Sequence, residues 1–168
     1  MSFSLNRIDK NRLLQSLRSQ LQIALATLLL QQQDSQRAAT HEENRSEHSK
    51  DTRATEQSYL ARGLATRVAD LRRTTLQLAT AKARSFQSDE PVAATALVAI
   101  RVEQESQQQI WWLIPAAGGF ELNESGMRIR TLTPTTPLGR ALTGLQVGDD
   151  ETFTTPRGQR SFELLEIA

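Results

Sequence analysis

Glycine and proline are distributed unequally along this chain, and this asymmetry constrains its fold more than any other feature. Residues 1–90 contain one glycine, Gly63, and no proline, whereas residues 91–168 contain all five prolines and the other seven glycines. Both residue types destabilise the interior of a helix, so long uninterrupted helices are expected only in the first half. The change falls at Ser88–Pro91, which predicts a helical domain over 1–88 and a second domain over 89–168.

The first half carries the seven-residue hydrophobic repeat of a coiled coil in two runs. Between the runs, residues 41–50 contain no apolar side chain, which predicts a tip loop near 41–52. Two helices joined by a short polar loop predict an antiparallel hairpin, with arms of ~30 residues and a length of roughly 45 Å. The repeat positions are Leu14, Leu21, Leu28 and Ser35, with Leu17, Ala24, Gln31 and Ala38, and then Leu60, Leu64, Leu71 and Leu78.

The second half has the short apolar and alternating runs of β-strands. Pro137 stands at the start of a short apolar stretch that predicts one or two turns of helix. Pro156 and Gly158 are turn formers between two further strand-like runs. A small antiparallel sheet wrapped on a short helix is therefore expected, giving an α+β chain. The predicted strands are 94–102, 109–114, 127–132, 151–155 and 159–167, and the predicted helix is 137–142.

Two tryptophans are consecutive in one predicted strand, so they are expected to point to opposite faces of the sheet. One of Trp111 and Trp112 is predicted to enter the core, and the other to lie at the surface or in an interface.

Charge and apolar runs limit the classes of partner. The formal net charge is +1, and neither half is basic enough to predict strong binding to naked nucleic acid. The longest apolar run, Ile23–Leu30, is far shorter than the ~20 residues that cross a bilayer. There is no cysteine, and residues 1–20 show no signal-peptide pattern. A cytoplasmic protein with a protein partner and no membrane contact is expected.

Four ordered motifs resemble the C-terminal domain of the GreA/GreB family of transcript-cleavage factors. They are Thr136–Gly144, Val147–Asp149, Thr155–Gly158 and Phe162–Ile167. The family pattern reads Ser-Pro-Ile-Ala-Arg-x-Leu-x-Gly, then an acidic turn, then Thr-Pro-x-Gly and a final strand. The resemblance implies an FKBP-like C-terminal domain that docks at the rim of the secondary channel of bacterial RNA polymerase, and a helical hairpin that enters the channel.

The resemblance also implies how such a factor acts. Two acidic residues at the hairpin tip help to hold a second Mg²⁺ in the polymerase active site, and the polymerase then hydrolyses backtracked RNA. Carboxylates are hard oxygen ligands that suit Mg²⁺, and a second metal activates water and stabilises the departing oxygen. The factor would have no cofactor of its own and would not itself be an enzyme. It would meet the 3′ end of the nascent RNA only indirectly, and act as a monomer.

The predicted tip departs from the family pattern Asp-Leu-Lys-Glu-Asn-Ala-Glu-Tyr. Alignment on Tyr59 places Thr52 and Thr55 at the two metal-binding positions, whereas alignment on Asp51 keeps the aspartate. Asp51 and Glu56 are therefore the candidate tip residues, and Asp51 is the candidate Mg²⁺ ligand within the complex. Asp51 could instead cap the second helix, and Glu56 could be an ordinary exposed helix residue.

Two residues of the C-terminal motif are candidates for polymerase docking. Pro137 and Leu138 match a region that contacts polymerase in the family; the alternative is that they form a helix start packed on the sheet.

Three other functions compete with transcript cleavage. A channel-binding regulator or inhibitor without catalytic effect would share the architecture. A prolyl isomerase needs an aromatic-lined pocket, and residues 92–168 contain only five aromatic side chains. A plain coiled-coil oligomeriser would associate through the heptads, whereas the factor is expected to be monomeric.

Overall fold

Two long helices form the first part of the chain. The computed structural model describes residues 4–43, 50–103 and 105–168, with the side chains of 39–43 and 50–54 outside the description. A single 3-10 turn, Leu5–Arg7, precedes helix α1, Lys10–Glu43, and helix α2 is Lys50–Ala79. The helices thus include both ends of the predicted 41–52 loop, and its remaining residues, 44–49, lie outside the described residues.

The start of α1 is capped by an aspartate. The carboxylate of Asp9 accepts hydrogen bonds from the backbone N–H groups of Asn11 and Arg12, at 2.9 and 3.2 Å. This satisfies two of the donors that a helix start leaves without intrahelical partners.

The contacts divide the chain into two compact units, residues 18–76 and residues 1–17 with 77–168. The predicted domain boundary between 88 and 89 stays a prediction.

Within the unit 18–76, α1 and α2 pack side by side. Leu21, Leu28 and Val68 are buried, and residues 24–31 and 67–74 line opposite walls of one shallow groove. If the helices ran parallel, the end of α1 and the start of α2 would be about 50 Å apart, at ~1.5 Å per residue. The six residues between them reach only about 25 Å. The helices are therefore antiparallel, as the short polar segment between the two heptad runs predicted.

The second part of the chain forms one six-stranded sheet, in the order β3-β4-β2-β1-β6-β5. A short helix, α3, precedes β5. The elements are β1 Leu97–Val102, β2 Gln109–Leu113, β3 Glu121–Glu124, β4 Met127–Leu132, α3 Pro137–Leu142, β5 Asp150–Thr155 and β6 Gly158–Ile167.

The sheet differs from the predicted one in two ways. The strands β2 and β4 are parallel, with Ile110 opposite Ile129, although every other pair is antiparallel. In addition, β3 was not predicted; it pairs with β4 through a turn in which Ser125 and Gly126 both have positive φ. The α+β class itself is confirmed, with two long helices followed by a mainly antiparallel sheet.

One hydrophobic cluster holds the sheet, α3 and the segment that leads into β1. Burial of this apolar surface is the main driving force for folding this unit. The cluster comprises Phe86, Val92, Ala96, Val98, Ile100, Val102, Leu113, Leu132, Leu138, Leu142, Phe162, Leu164 and Ile167.

Polar contacts fasten the N-terminal segment to the last strand. The carboxylate of Glu166 accepts hydrogen bonds from the Ser4 hydroxyl and the Leu5 N–H, both at 2.8 Å. These three residues belong to the same compact unit, so the contacts tie its two chain segments together.

Lys10 forms a second attachment inside this unit. Its ammonium group donates to the backbone carbonyls of Arg84, Thr95 and Ala168, and lies 4.9 Å from the centre of the Phe86 ring. Burial, and secondarily the charge of Arg84, lowers the pKa of Lys10 to about 8.

Among the described residues, no helix is both long enough and apolar enough to cross a membrane.

Candidate docking groove

A groove of about 820 Å³ opens where β2, β4, the start of α3 and the β5–β6 hairpin meet. It lies within the sheet-containing unit, and its walls are mainly apolar with charged residues at the edge. The lining residues are Val102, Glu105, Gln109, Trp111, Gly118, Gly119, Arg130, Thr131, Leu132, Thr133, Thr136, Pro137, Leu138, Phe153, Thr154, Thr155, Pro156 and Arg160.

The alternation of β2 places one tryptophan in this groove. Trp112 is fully buried, and its indole N–H donates to the carbonyl of Thr95 at 3.2 Å. Trp111 therefore faces the other side of the sheet, where it is half-buried and lines the groove. Its indole N–H donates to the side-chain carbonyl of Gln109 at 3.0 Å, so its polar atom is already satisfied. The predicted burial of one tryptophan is confirmed for Trp112, whereas Trp111 is only half-buried, since it packs against the hydrophobic cluster and also lines the groove.

A second aromatic residue, Phe153, also lines the groove. The ring of Phe153, on β5, meets the ring of buried Phe162, on β6, edge to face, with centres 5.8 Å apart. Such a contact adds to the stabilisation from burial. It holds Phe153 in place while leaving part of its surface in the groove. Trp111 and Phe153 are the two aromatic side chains among the groove residues.

The start of α3 is built by a threonine cap. The Thr136 hydroxyl accepts from the N–H of Gly139 at 3.0 Å and donates to the carbonyl of Thr133 at 2.9 Å. Pro137 follows in the first turn, where its missing N–H costs nothing. The cap thus sets where the helix begins and holds it against the end of β4.

The two predicted docking residues have different surroundings. Pro137 is exposed at the groove, whereas Leu138 is only 8% exposed and packs in the hydrophobic cluster. The position of Leu138 matches the packing alternative raised from the sequence, and Pro137 has surface available to a partner. Docking by either residue stays a prediction.

The charged edge of the groove contains one ion pair and one arginine that lies near the Trp111 ring. Arg160 pairs with Glu105 at 2.9 Å. A hydrogen bond from Gln109, and then the hydrogen bond and charge of Arg160, lower the pKa of the Glu105 carboxyl. Arg130 lies opposite Trp111 on the parallel neighbour β4, with its guanidinium carbon 5.4 Å from the centre of the indole ring.

The predicted tip residues are not brought into a metal site by what the structure describes. Glu56 is exposed on α2, and the side chain of Asp51 lies outside the described residues. Positions 51 and 56 are five residues apart in α2, so they lie about 140° apart around the helix axis. Across the described residues, no three His, Cys, Asp or Glu side chains are grouped so that they could hold a metal ion.

Sequence reasoning missed Arg130 and Phe153 as parts of a shared groove. The alternation of 127–132 predicted correctly that Arg130 is on a half-exposed strand face. It could not show that Trp111 would be its neighbour, because the parallel pairing of β2 with β4 is a long-range contact. The useful signal was the pair Trp111–Trp112, because consecutive residues of a strand point to opposite faces of the sheet.

Comparison with known proteins connects this groove to one family. The family model "Transcription elongation factor, GreA/GreB, C-term" matches residues 123–168, which include β4, α3, β5 and β6. Transcription elongation factor GreA of Syntrophus aciditrophicus (strain SB) is 35% identical over 80 residues. This alignment covers 48% of this chain and 46% of the relative, so the chain spans about half the length of the curated relative it matches.

Solved structures with a low overall similarity include factors from three bacteria. Gfh1 of Thermus aquaticus superposes with a TM-score of 0.39 at 17% identity, covering 89% of this chain and 92% of that chain. Gfh1 of Thermus thermophilus gives 0.38 at 18%, covering 90% and 94%. The elongation factor GreA/GreB from Nitrosomonas europaea gives 0.35 at 21%, covering 58% and 78%.

The sequence match and the four motifs agree in position, since all four motifs fall within the matched segment. Residues 123–168 therefore match the GreA/GreB C-terminal domain family, which confirms the resemblance predicted from the sequence.

Proposed function

We propose that this chain is an accessory transcription factor that binds bacterial RNA polymerase, inserts its two long helices into the secondary channel, and promotes cleavage of backtracked RNA by the polymerase. The observation that carries the proposal is the GreA/GreB match of residues 123–168, together with the 35% identity to a transcription elongation factor. The antiparallel pair of helices supplies the long, thin element that entry into a channel requires.

The C-terminal groove is the proposed docking surface. Pro137 is exposed at its edge, and Trp111 and Phe153 supply partly exposed aromatic area. Aromatic side chains in preformed pockets are typical of the residues that dominate binding energy at protein interfaces. Docking there would hold the factor while the helices reach the active site.

The proposed cleavage role belongs to the tip of the helices. Asp51, and secondarily Glu56, would supply carboxylate oxygen to the second Mg²⁺ of the polymerase active site. Because positions 51 and 56 point in different directions from the helix axis, we propose that one carboxylate binds the ion and not both. The metal and the catalytic water belong to the polymerase, and the factor would contact the RNA 3′ end only indirectly.

A second candidate function is regulation of the channel without cleavage. Positions 52 and 55 are three residues apart in α2 and lie on one helix face, about 60° apart. Two carboxylates there could converge on one ion, but this chain has Thr52 and Thr55. Uncharged hydroxyls bind Mg²⁺ more weakly than carboxylates, which favours a factor that occupies the channel and does not assist hydrolysis.

The test is RNA cleavage in a purified, backtracked bacterial elongation complex with Mg²⁺. Wild type is compared with Asp51→Asn and Glu56→Gln, which remove charge and keep shape. Asp34→Asn is the matched control, since Asp34 is an exposed acid on α1 outside the proposed tip. Affinity for polymerase is measured in parallel by fluorescence anisotropy.

Three results separate the candidates. Cleavage stimulated by wild type, lost in Asp51→Asn at unchanged affinity and kept in Asp34→Asn, supports the cleavage role. Binding without stimulation by wild type supports the channel regulator. Absence of binding to polymerase overturns both.

A further inference from the structure

The groove beside α3 combines apolar walls with an arginine, and this combination indicates which kind of side chain can bind there. We infer that it takes an apolar side chain of RNA polymerase whose neighbouring Asp or Glu carboxylate pairs with Arg130, and this inference rests on the proposed function. The geometry that supports it is the presence of two aromatic side chains, Trp111 and Phe153, in the same groove as Arg130, whose guanidinium carbon lies 5.4 Å from the centre of the Trp111 ring.

The apolar part of the groove is already fixed in shape before any partner arrives. The Trp111 indole is held by its hydrogen bond to Gln109, and the Phe153 ring is held by its edge contact with Phe162. A preorganised pocket loses little side-chain entropy on binding. With about 820 Å³ of space, it accommodates an aliphatic or aromatic side chain together with its adjoining backbone.

Two arginines line the groove, and they differ in their partners. Arg160 is paired with Glu105 at 2.9 Å. Arg130, in contrast, has no carboxylate within 4.0 Å among residues 4–43, 50–103 and 105–168. Its charge acts at longer range on Glu105 and Glu121, where it contributes to lowering the pKa of both carboxyl groups. Arg130 is thus the groove cation still able to accept an ion-pair partner.

The position of Arg130 beside Trp111 suits it to bind a carboxylate. Its guanidinium carbon lies 5.4 Å from the centre of the indole ring, within the range of a cation–π interaction, and a guanidinium has planar N–H edges. Those edges match the two oxygens of a carboxylate, which can be bound bidentately. An acidic group beside the inserted apolar side chain would therefore meet a donor already in position.

The surrounding charge favours a protein partner over nucleic acid. Residues 92–168 carry six arginines, no lysine and nine acidic residues, so this part of the chain is net negative. A phosphate backbone would be repelled by that excess, whereas one local ion pair is compatible with it. The occupant is accordingly assigned to a polymerase surface segment.

The inference is tested by the affinity of full-length variants for purified RNA polymerase. Arg130→Gln removes the proposed ion pair, and Phe153→Ala removes part of the apolar wall. Arg157→Gln is the matched control, because it removes the same charge from an exposed turn residue that does not line the groove. Thermal unfolding of each variant establishes that it is folded.

We expect Arg130→Gln to weaken binding by roughly 30-fold or more, as truncation of one partner in a desolvated charge pair does. Its affinity should also depend less on salt than that of wild type, since an ionic contact is lost. Arg157→Gln should bind as wild type does. If wild type binds polymerase and Arg130→Gln binds equally well, the inference is overturned while the proposed function stands. If wild type does not bind, the proposed function fails.

Photo-crosslinking identifies the occupant. With p-benzoylphenylalanine in place of Pro156, at the exposed edge of the groove, we expect a crosslink to a polymerase peptide with an apolar residue next to Asp or Glu. The same probe in place of exposed Asn123, outside the groove, is the control. Loss of binding to a single-stranded RNA probe in Arg130→Gln, with polymerase affinity unchanged, would instead assign the groove to nucleic acid and overturn the inference.

Discussion

At the scale of single residues, two carboxylates on β6 show how burial decides how much a polar contact contributes to stability. Glu166 is partly buried and accepts from the Ser4 hydroxyl and the Leu5 N–H. Glu163 pairs with Arg101 at 3.1 Å, but both side chains are largely exposed. Solvent and salt screen the exposed pair, whereas loss of Glu166 would leave a backbone donor without its partner.

Glu166→Ala should therefore lower the free energy of unfolding by ~1–3 kcal/mol. Glu163→Ala should lower it by about 1 kcal/mol or less. Urea denaturation followed by tryptophan fluorescence measures both, since Trp112 is in the core. Equal losses for the two variants would show that the two hydrogen bonds accepted by Glu166 contribute no more to stability than the exposed ion pair does.

At the scale of elements, the packing of α3 against the end of β4 requires a glycine at position 139, because a larger residue does not fit there. A Cβ added at Gly139 would lie 2.1 Å from the carbonyl oxygen of Thr133 and 2.8 Å from the Thr136 hydroxyl. The quoted family pattern has alanine at this position, and this chain has glycine. Gly63, in α2, has open space where its Cβ would be.

Two glycine-to-alanine substitutions should therefore change stability in opposite directions. Gly139→Ala must displace backbone, and we expect a loss of ~1–3 kcal/mol. Gly63→Ala should gain about 0.5–1 kcal/mol, because alanine is the better helix former. Thermal and urea unfolding of the two variants check the signs. A gain for Gly139→Ala would mean that α3 can move away from Thr133 at little cost.

Helices and strands could be predicted from the sequence where the pattern that specifies them involves only residues close together in the chain. The heptads predicted α1 and α2, and the Thr136–Pro137 start predicted α3, because these patterns depend on neighbours within a few residues. The four-residue β3 escaped prediction, since Glu121–Glu124 is short and mostly polar. The parallel pairing of β2 with β4, which builds the groove, depends on distant contacts that no local pattern contains.

At the scale of the whole molecule, the two compact units differ in how much apolar surface they bury. Among the described side chains, the unit 18–76 buries Leu21, Leu28 and Val68, whereas the sheet-containing unit buries an extended cluster. Regions with few buried apolar contacts open locally at low free energy. Stability should therefore be unevenly distributed along the chain.

Amide hydrogen exchange should report this difference. We expect the amides of 30–38 and 55–66, in α1 and α2, to exchange at least tenfold faster than those of β1 and β6 under native conditions. Mass spectrometry of peptic fragments at a series of exchange times measures the rates. Equal protection from exchange in the helices and in strands β1 and β6 would indicate a single cooperative unit and contradict the expectation.

The place of β6 in the sheet has a consequence for the order of events on the ribosome. This strand lies between β1 and β5, and its residues complete the core cluster. Its partners are translated earlier, so the gap between β1 and β5 stays open until β6 has left the exit tunnel. The helical segment is synthesised well before that moment and can form from local contacts. A nascent chain of this protein should therefore form its two long helices first and the groove between the sheet and α3 last.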